Sequence, residues 1–108
     1  MTKPPRSIGE LAKELLKEAL VLRQNERWRP HTVDETWVIY VAEETRSLWI
    51  AHLPSGTKLE VTFNRTGHID PANYHLTRND RPLRADDGEW DRRLLAKARE
   101  VQDELTAR

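Results

Sequence analysis

The chain contains no cysteine, which excludes disulfides, thiol catalysis and Cys-ligated zinc. Only four glycines occur in 108 residues, and none is set in a phosphate-cradling loop. Neither a nucleophile elbow nor an HExxH helix is present. No apolar run approaches the roughly 20 residues that a bilayer span requires. The opening MTKPPRS has no apolar signal core, so a cytoplasmic location is expected. Net charge is also lacking, with 18 Lys+Arg against 18 Asp+Glu. A general polyanion binder draws its affinity from an excess of cations, so that class is disfavoured. Charge is uneven along the chain, net +3 over residues 1–31, −3 over 32–63, +2 over 64–85 and −2 over 86–108. None of these segments is a basic block.

What is present describes one α+β domain over residues 7–108, preceded by a flexible tail at 1–6. Ser7-Ile8-Gly9-Glu10 fits a capping box, in which Ser7 and Glu10 satisfy each other's backbone amides. Ile8, Leu11, Ala12, Leu15, Leu16, Ala19, Leu20 and Leu22 follow at helical spacing. The helix is predicted over 7–27, since Pro30 forces the residue before it out of helical geometry. A second helix is predicted over 88–106, capped by Asp86 or Asp87, with Trp90, Leu94, Leu95, Ala98, Val101 and Leu105 as its apolar stripe.

Between the helices lie three runs rich in β-branched and aromatic residues, Thr36–Ala42, Ser47–Leu53 and Thr57–Phe63. Their short connections predict antiparallel hairpins. A turn at Glu44-Thr45 sets Tyr40 opposite Trp49, and a two-residue Ser55-Gly56 turn sets Leu53 opposite Lys58. Asp70-Pro71-Ala72-Asn73 and Asn79-Asp80-Arg81-Pro82 read as turns, and Tyr74–Arg78 as a short fourth strand. The expected fold is therefore an N-terminal helix, a three- or four-stranded antiparallel meander and a C-terminal helix.

Alternation places Trp37, Ile39, Val41, Leu48, Ile50, His52, Leu59, Val61 and Phe63 on one face of that sheet. The other face carries Val38, Tyr40, Ala42, Trp49, Ala51 and Leu53 beside Lys58, Glu60 and Thr62. A three-stranded sheet is too narrow for two helices side by side. Three coverings of the second face are open: a partner or second copy, the chain's own helices or segment 64–86, or solvent around a Tyr–Trp pair. The reading taken is a non-enzymatic interaction or regulatory module that binds a protein partner or a second copy of itself through Val38, Tyr40, Trp49, Ala51 and Leu53.

The alternative is a nucleic-acid-binding module, with Tyr40 and Trp49 stacking bases and Arg65, Arg78, Arg81 and Arg84 holding phosphates. The order helix–strand–strand–strand–helix is similar to that of the double-stranded RNA-binding domain. The resemblance is one of topology. That family carries a lysine cluster at the start of its last helix, where this chain has Asp86, Asp87 and Glu89, which repel phosphate. His68, Asp70 and His75 are of metal-ligating type, but their spacing matches no element that aims all three inward. His52, on the core face beside Trp37, reads as a partly buried imidazole with a backbone hydrogen bond. No catalytic residue, cofactor or metal is assigned.

Overall fold

A computed structural model of the chain describes residues 8–78, 81–82 and 88–107. Helix α1 (Ile8–Gln24) is followed by β1 (Arg29–Val33), β2 (Trp37–Ala42), a 3-10 turn (Glu43–Thr45), β3 (Ser47–His52), β4 (Thr57–Phe63), β5 (Ile69–Arg78), β6 (Arg81–Pro82) and α2 (Gly88–Thr106). The strands form one sheet in the order β1-β2-β3-β4-β5-β6, each antiparallel to its neighbour. The α+β class and the terminal helices agree with the sequence reading. The strand number does not, because the sheet has five strands of five residues or more and a two-residue sixth.

The extra strand β1 hides behind its composition. Arg29-Pro30-His31-Thr32-Val33 has little alternation, and proline is a poor strand residue away from an edge. Here it sits on the edge, and the register shifts between Pro30 and Thr32. The connection to β2 is built by Asp34, whose carboxylate accepts the amides of Trp37 at 2.6 Å and Thr36 at 2.8 Å. Those two backbone bonds hold the Asp34 carboxyl below its usual range. In β5 the turn residues 70–73 lie inside the strand. Val61 pairs with Tyr74 and Phe63 with Ile69, so four residues of β5 bulge out against one of β4. Asp70 accepts the Ala72 amide and an Asn73 side-chain N–H across this bulge.

Register between β2 and β3 is as the alternation predicts, with Tyr40 opposite Trp49 and Ile39 opposite Ile50. Arg46, the residue that closes the turn, is left-handed at φ 53°. Between β3 and β4 the register differs by two residues. His52 pairs with Thr57 and Ile50 with Leu59, because the turn contains Leu53–Gly56 rather than two residues. A shift of two keeps every side chain on its face.

Each face carries its own core. On one, Ile39, Val41, Leu48, Ile50, Leu59, Val61 and Phe63 pack against Leu94, Ala98 and Val101 of α2. On the other, Val38, Tyr40, Ala42, Trp49, Ala51 and Leu53 pack with Leu15 and Ala19 of α1 and with Trp28. The Tyr40 and Trp49 rings meet edge-on, with centroids 6.1 Å apart. Beyond β3 this second face turns polar, and the Lys58 ammonium donates to Glu18 of α1. The capping residues Ser7, Asp86 and Asp87 lie outside the described residues, as do Asn79 and Asp80.

Burial of an aromatic side chain of this size stabilises by several kcal/mol. Trp49→Ala is therefore expected to lower unfolding free energy by about 3–5 kcal/mol in urea titration. A surface tryptophan would leave the midpoint nearly unchanged.

Candidate functional site

The face assigned to a partner is covered by the chain itself. Val38 and Ala51 are fully buried, and Tyr40, Trp49 and Leu53 are no more than 6% exposed. Helix α1 is their roof, so these side chains are core rather than contact surface. Of the three coverings the sequence left open, the one observed is the chain's own helix rather than the partner that the reading took. The helices take opposite faces and never compete for width.

The roof is nevertheless incomplete. Helix α1 lays Leu15 and Ala19 on the sheet and is apolar over a wider arc than that. Leu16 and Leu20 stand on its β1 side, 39% and 56% exposed. Across from them Val33 is 60% exposed, and in β1 it shares the α1 side of the sheet with Pro30 through their pairing with Val38 and Tyr40. Leu16, Leu20, Arg23, Pro30 and Val33 enclose a groove of about 460 Å³, floored by Ala19, Val38 and Tyr40. Two of the residues singled out from sequence thus form its floor. Arg23 is the one charged residue in its lining, and no ion pair to it occurs among the described residues. Val21, also exposed, lies on the opposite flank of α1. The signal for the groove was the width of the α1 stripe, but the facing wall β1 gave none.

A second cluster stands at the start of α2. The His52 imidazole lies between Trp37 and Trp90, with centroids 4.8 and 4.7 Å away. The Arg93 guanidinium sits 5.0 Å over Trp90 and the Lys97 ammonium 5.4 Å over Trp37. Nδ1 of His52 is 2.7 Å from Ser55 Oγ, which lies 2.8 Å from Thr57 Oγ1. The imidazole's partner is thus a side chain, not the backbone. The Gly56 N–H donates to the His52 carbonyl and the Thr57 N–H to Ser55 Oγ, so the His52–Ser55 pair belongs to the hydrogen bonding that caps the β3–β4 turn.

Among the described residues the arginines do not form one track. Arg65 lies in the β4–β5 turn, whereas Arg78 pairs with Thr57 at the far end of β4, roughly 20 Å away at strand rise. Arg78 and Arg81 are register partners, and Arg84 lies outside the described residues. Among the described residues no three His, Asp or Glu side chains converge on a metal-sized site. His68 is held by Thr66 within the turn, Asp70 serves the bulge, and His75 sits opposite Glu60. No described helix is long and apolar enough to cross a membrane.

Burial and the neighbouring Arg93 lower the His52 pKa from its ordinary 6.5. Protonation then favours the unfolded chain, so the stabilisation is complete above about pH 6.5 and is lost as pH falls through the folded value. Urea midpoints between pH 7.5 and 5 are expected to fall more steeply for the native protein than for His52→Gln. No family model matches the chain, and no curated protein or solved structure matches it.

Proposed function

We propose that this protein is a non-enzymatic interaction module, and that its contact surface is the groove between α1 and β1. The observation that carries this reading is the pair of exposed apolar walls, Leu16 and Leu20 facing Pro30 and Val33 over an apolar floor. Contiguous apolar surface of this kind marks contact sites on small proteins, whereas scattered exposed side chains do not. A concave surface with buried side chains beneath it is also preorganised, so little order is lost on binding. The Tyr40 ring contributes from below, in a position where it stiffens the floor.

A photo-crosslinking side chain placed at Leu20 tests this in cells. The expected result is a discrete adduct from position 20 that is absent when the same group is placed at Ala96 on the exposed side of α2. Adducts of equal yield from both positions, or none, would overturn the reading. Leu20→Asp is expected to change stability by less than about 0.5 kcal/mol, because the side chain is already half in water. Circular dichroism and a urea titration separate that outcome from misfolding.

A further inference from the structure

We infer that His52 is a proton-operated latch on the N-terminal turns of α2, closed while the imidazole is neutral and released when it takes up a second proton. The latch lies on the opposite sheet face from the groove and works whether or not a partner binds there.

Leu94, Ala98 and Val101 seat the middle of α2 in the core. Ahead of these anchors, the first turns meet the sheet through Trp90, which lies on His52, and through Asp91, which accepts from the Tyr74 hydroxyl. His52 is held in turn by Trp37, its cross-strand neighbour, and by Ser55 Oγ at Nδ1. The imidazole therefore joins β2, β3 and α2 at one end of the core. Of the three stacked rings it is the one that can change charge.

An imidazolium beside an indole is ordinarily attracted to its face. Here both indoles are already engaged by cations of α2, Trp90 by Arg93 and Trp37 by Lys97. Trp90, Arg93 and Lys97 share one flank of the helix at i, i+3 and i+7. A second proton on His52 puts a third cation into this group. The carboxylates at hand are committed elsewhere, Glu89 to Arg93, Glu100 to Lys97 and Asp34 to the amides of its own turn. Arg78, beyond Thr57 in the same cross-strand row, adds positive charge. Among the described residues no carboxylate pairs with His52. Burial, and then Arg93, oppose the charged form. A proton thus binds less readily with the first turns of α2 docked than with them lifted, and by reciprocity the proton lifts them. Docking is complete above about pH 6.5 and is lost as pH falls through the docked value.

Acid does not free the whole helix. Toward its far end His31 faces Glu104 at 3.3 Å, where positive charge on the imidazole attracts. The helix is hinged on its second half, and Trp37 and Trp90 are bared at the end that opens.

The test follows the full chain, with fluorine-labelled tryptophans, by NMR from pH 7.5 to 5. The His52 ring C–H resonance gives its midpoint, and fluorine signals report each indole. Protection factors of amides 92–95, whose hydrogen bonds close the first turns of α2, report docking after correction for intrinsic exchange at each pH. The expected result is a His52 midpoint below 6.5 that the Trp37 and Trp90 signals share. Protection at 92–95 should fall about tenfold across it, a size ordinary for coupled sites. Trp28 and Trp49, in the other core, and amides 98–105 should stay level. His52→Gln cannot take the proton and should hold protection at 92–95 constant. Arg93→Gln, at an exposed position, should raise the His52 midpoint and carry the loss of protection with it. A midpoint at or above 6.5 would show that the indoles attract the imidazolium, and would overturn the latch. Constant protection at 92–95 in the native protein would do the same. Equal loss across both helices would mean that acid weakens the whole fold, which also overturns it. Should His52→Gln fail to fold, Arg93→Gln decides: a loss of protection that stays put while the His52 midpoint moves would sever the two.

Discussion

A sheet that is apolar on both faces must be roofed on both, and that requirement organises this molecule. The β2–β3 hairpin alternates between two sets of greasy side chains, Ile39, Val41, Leu48 and Ile50 on one side, Val38, Tyr40, Trp49 and Ala51 on the other. Water can touch neither set without a cost of tens of cal/mol per Å². One helix precedes the strands and one follows them, so each can reach its own face without crossing the other. The polar strip formed by Lys58, Glu60 and Thr62 marks where the second roof stops being needed.

The groove follows from the same requirement through a mismatch of widths. Helix α1 lies over β1 and β2, but its apolar arc is wider than its footprint, and along its flank Leu16 and Leu20 stand across from Pro30 and Val33. The side chains along that flank have nothing above them within the described structure. Leu16 and Leu20 are consequently neither core nor ordinary surface. The His52 cluster solves the corresponding problem at the other face, where the rings of Trp37 and Trp90 close the end of the core and cations from α2 cap the rings.

Much of this was legible in the residues because strand periodicity is strict. Face assignments for Val38, Tyr40, Trp49, Ile39 and Ile50 survived even though the β3–β4 pairing is two places from the predicted one. Parity alone decides a face, while register depends on turn length, and the connection takes in Leu53–Gly56 where the two residues Ser55-Gly56 were expected. Strand β1 escaped notice because Pro30 and His31 break alternation in only five residues. Residues 70–73 read as a turn and are locally turn-like, but a bulge lets the strand run on through them. The covering of Tyr40 and Trp49 was not decidable from pattern, because either helix could have taken either face. The candidate groove was hidden for a related reason, since one of its walls is the strand that went unseen.

One consequence of the shared hairpin concerns how the molecule comes apart. Strands β2 and β3 are the common wall of two cores, so neither core has a private scaffold. Peeling α1 away would wet an indole and a phenol and also take the backing from the side chains under α2. Partial melting thus gains little chain freedom while exposing apolar area on two sides. The two layers should be lost together, in a single all-or-none transition, and an α1-less fragment would be a sticky sheet rather than a smaller stable domain.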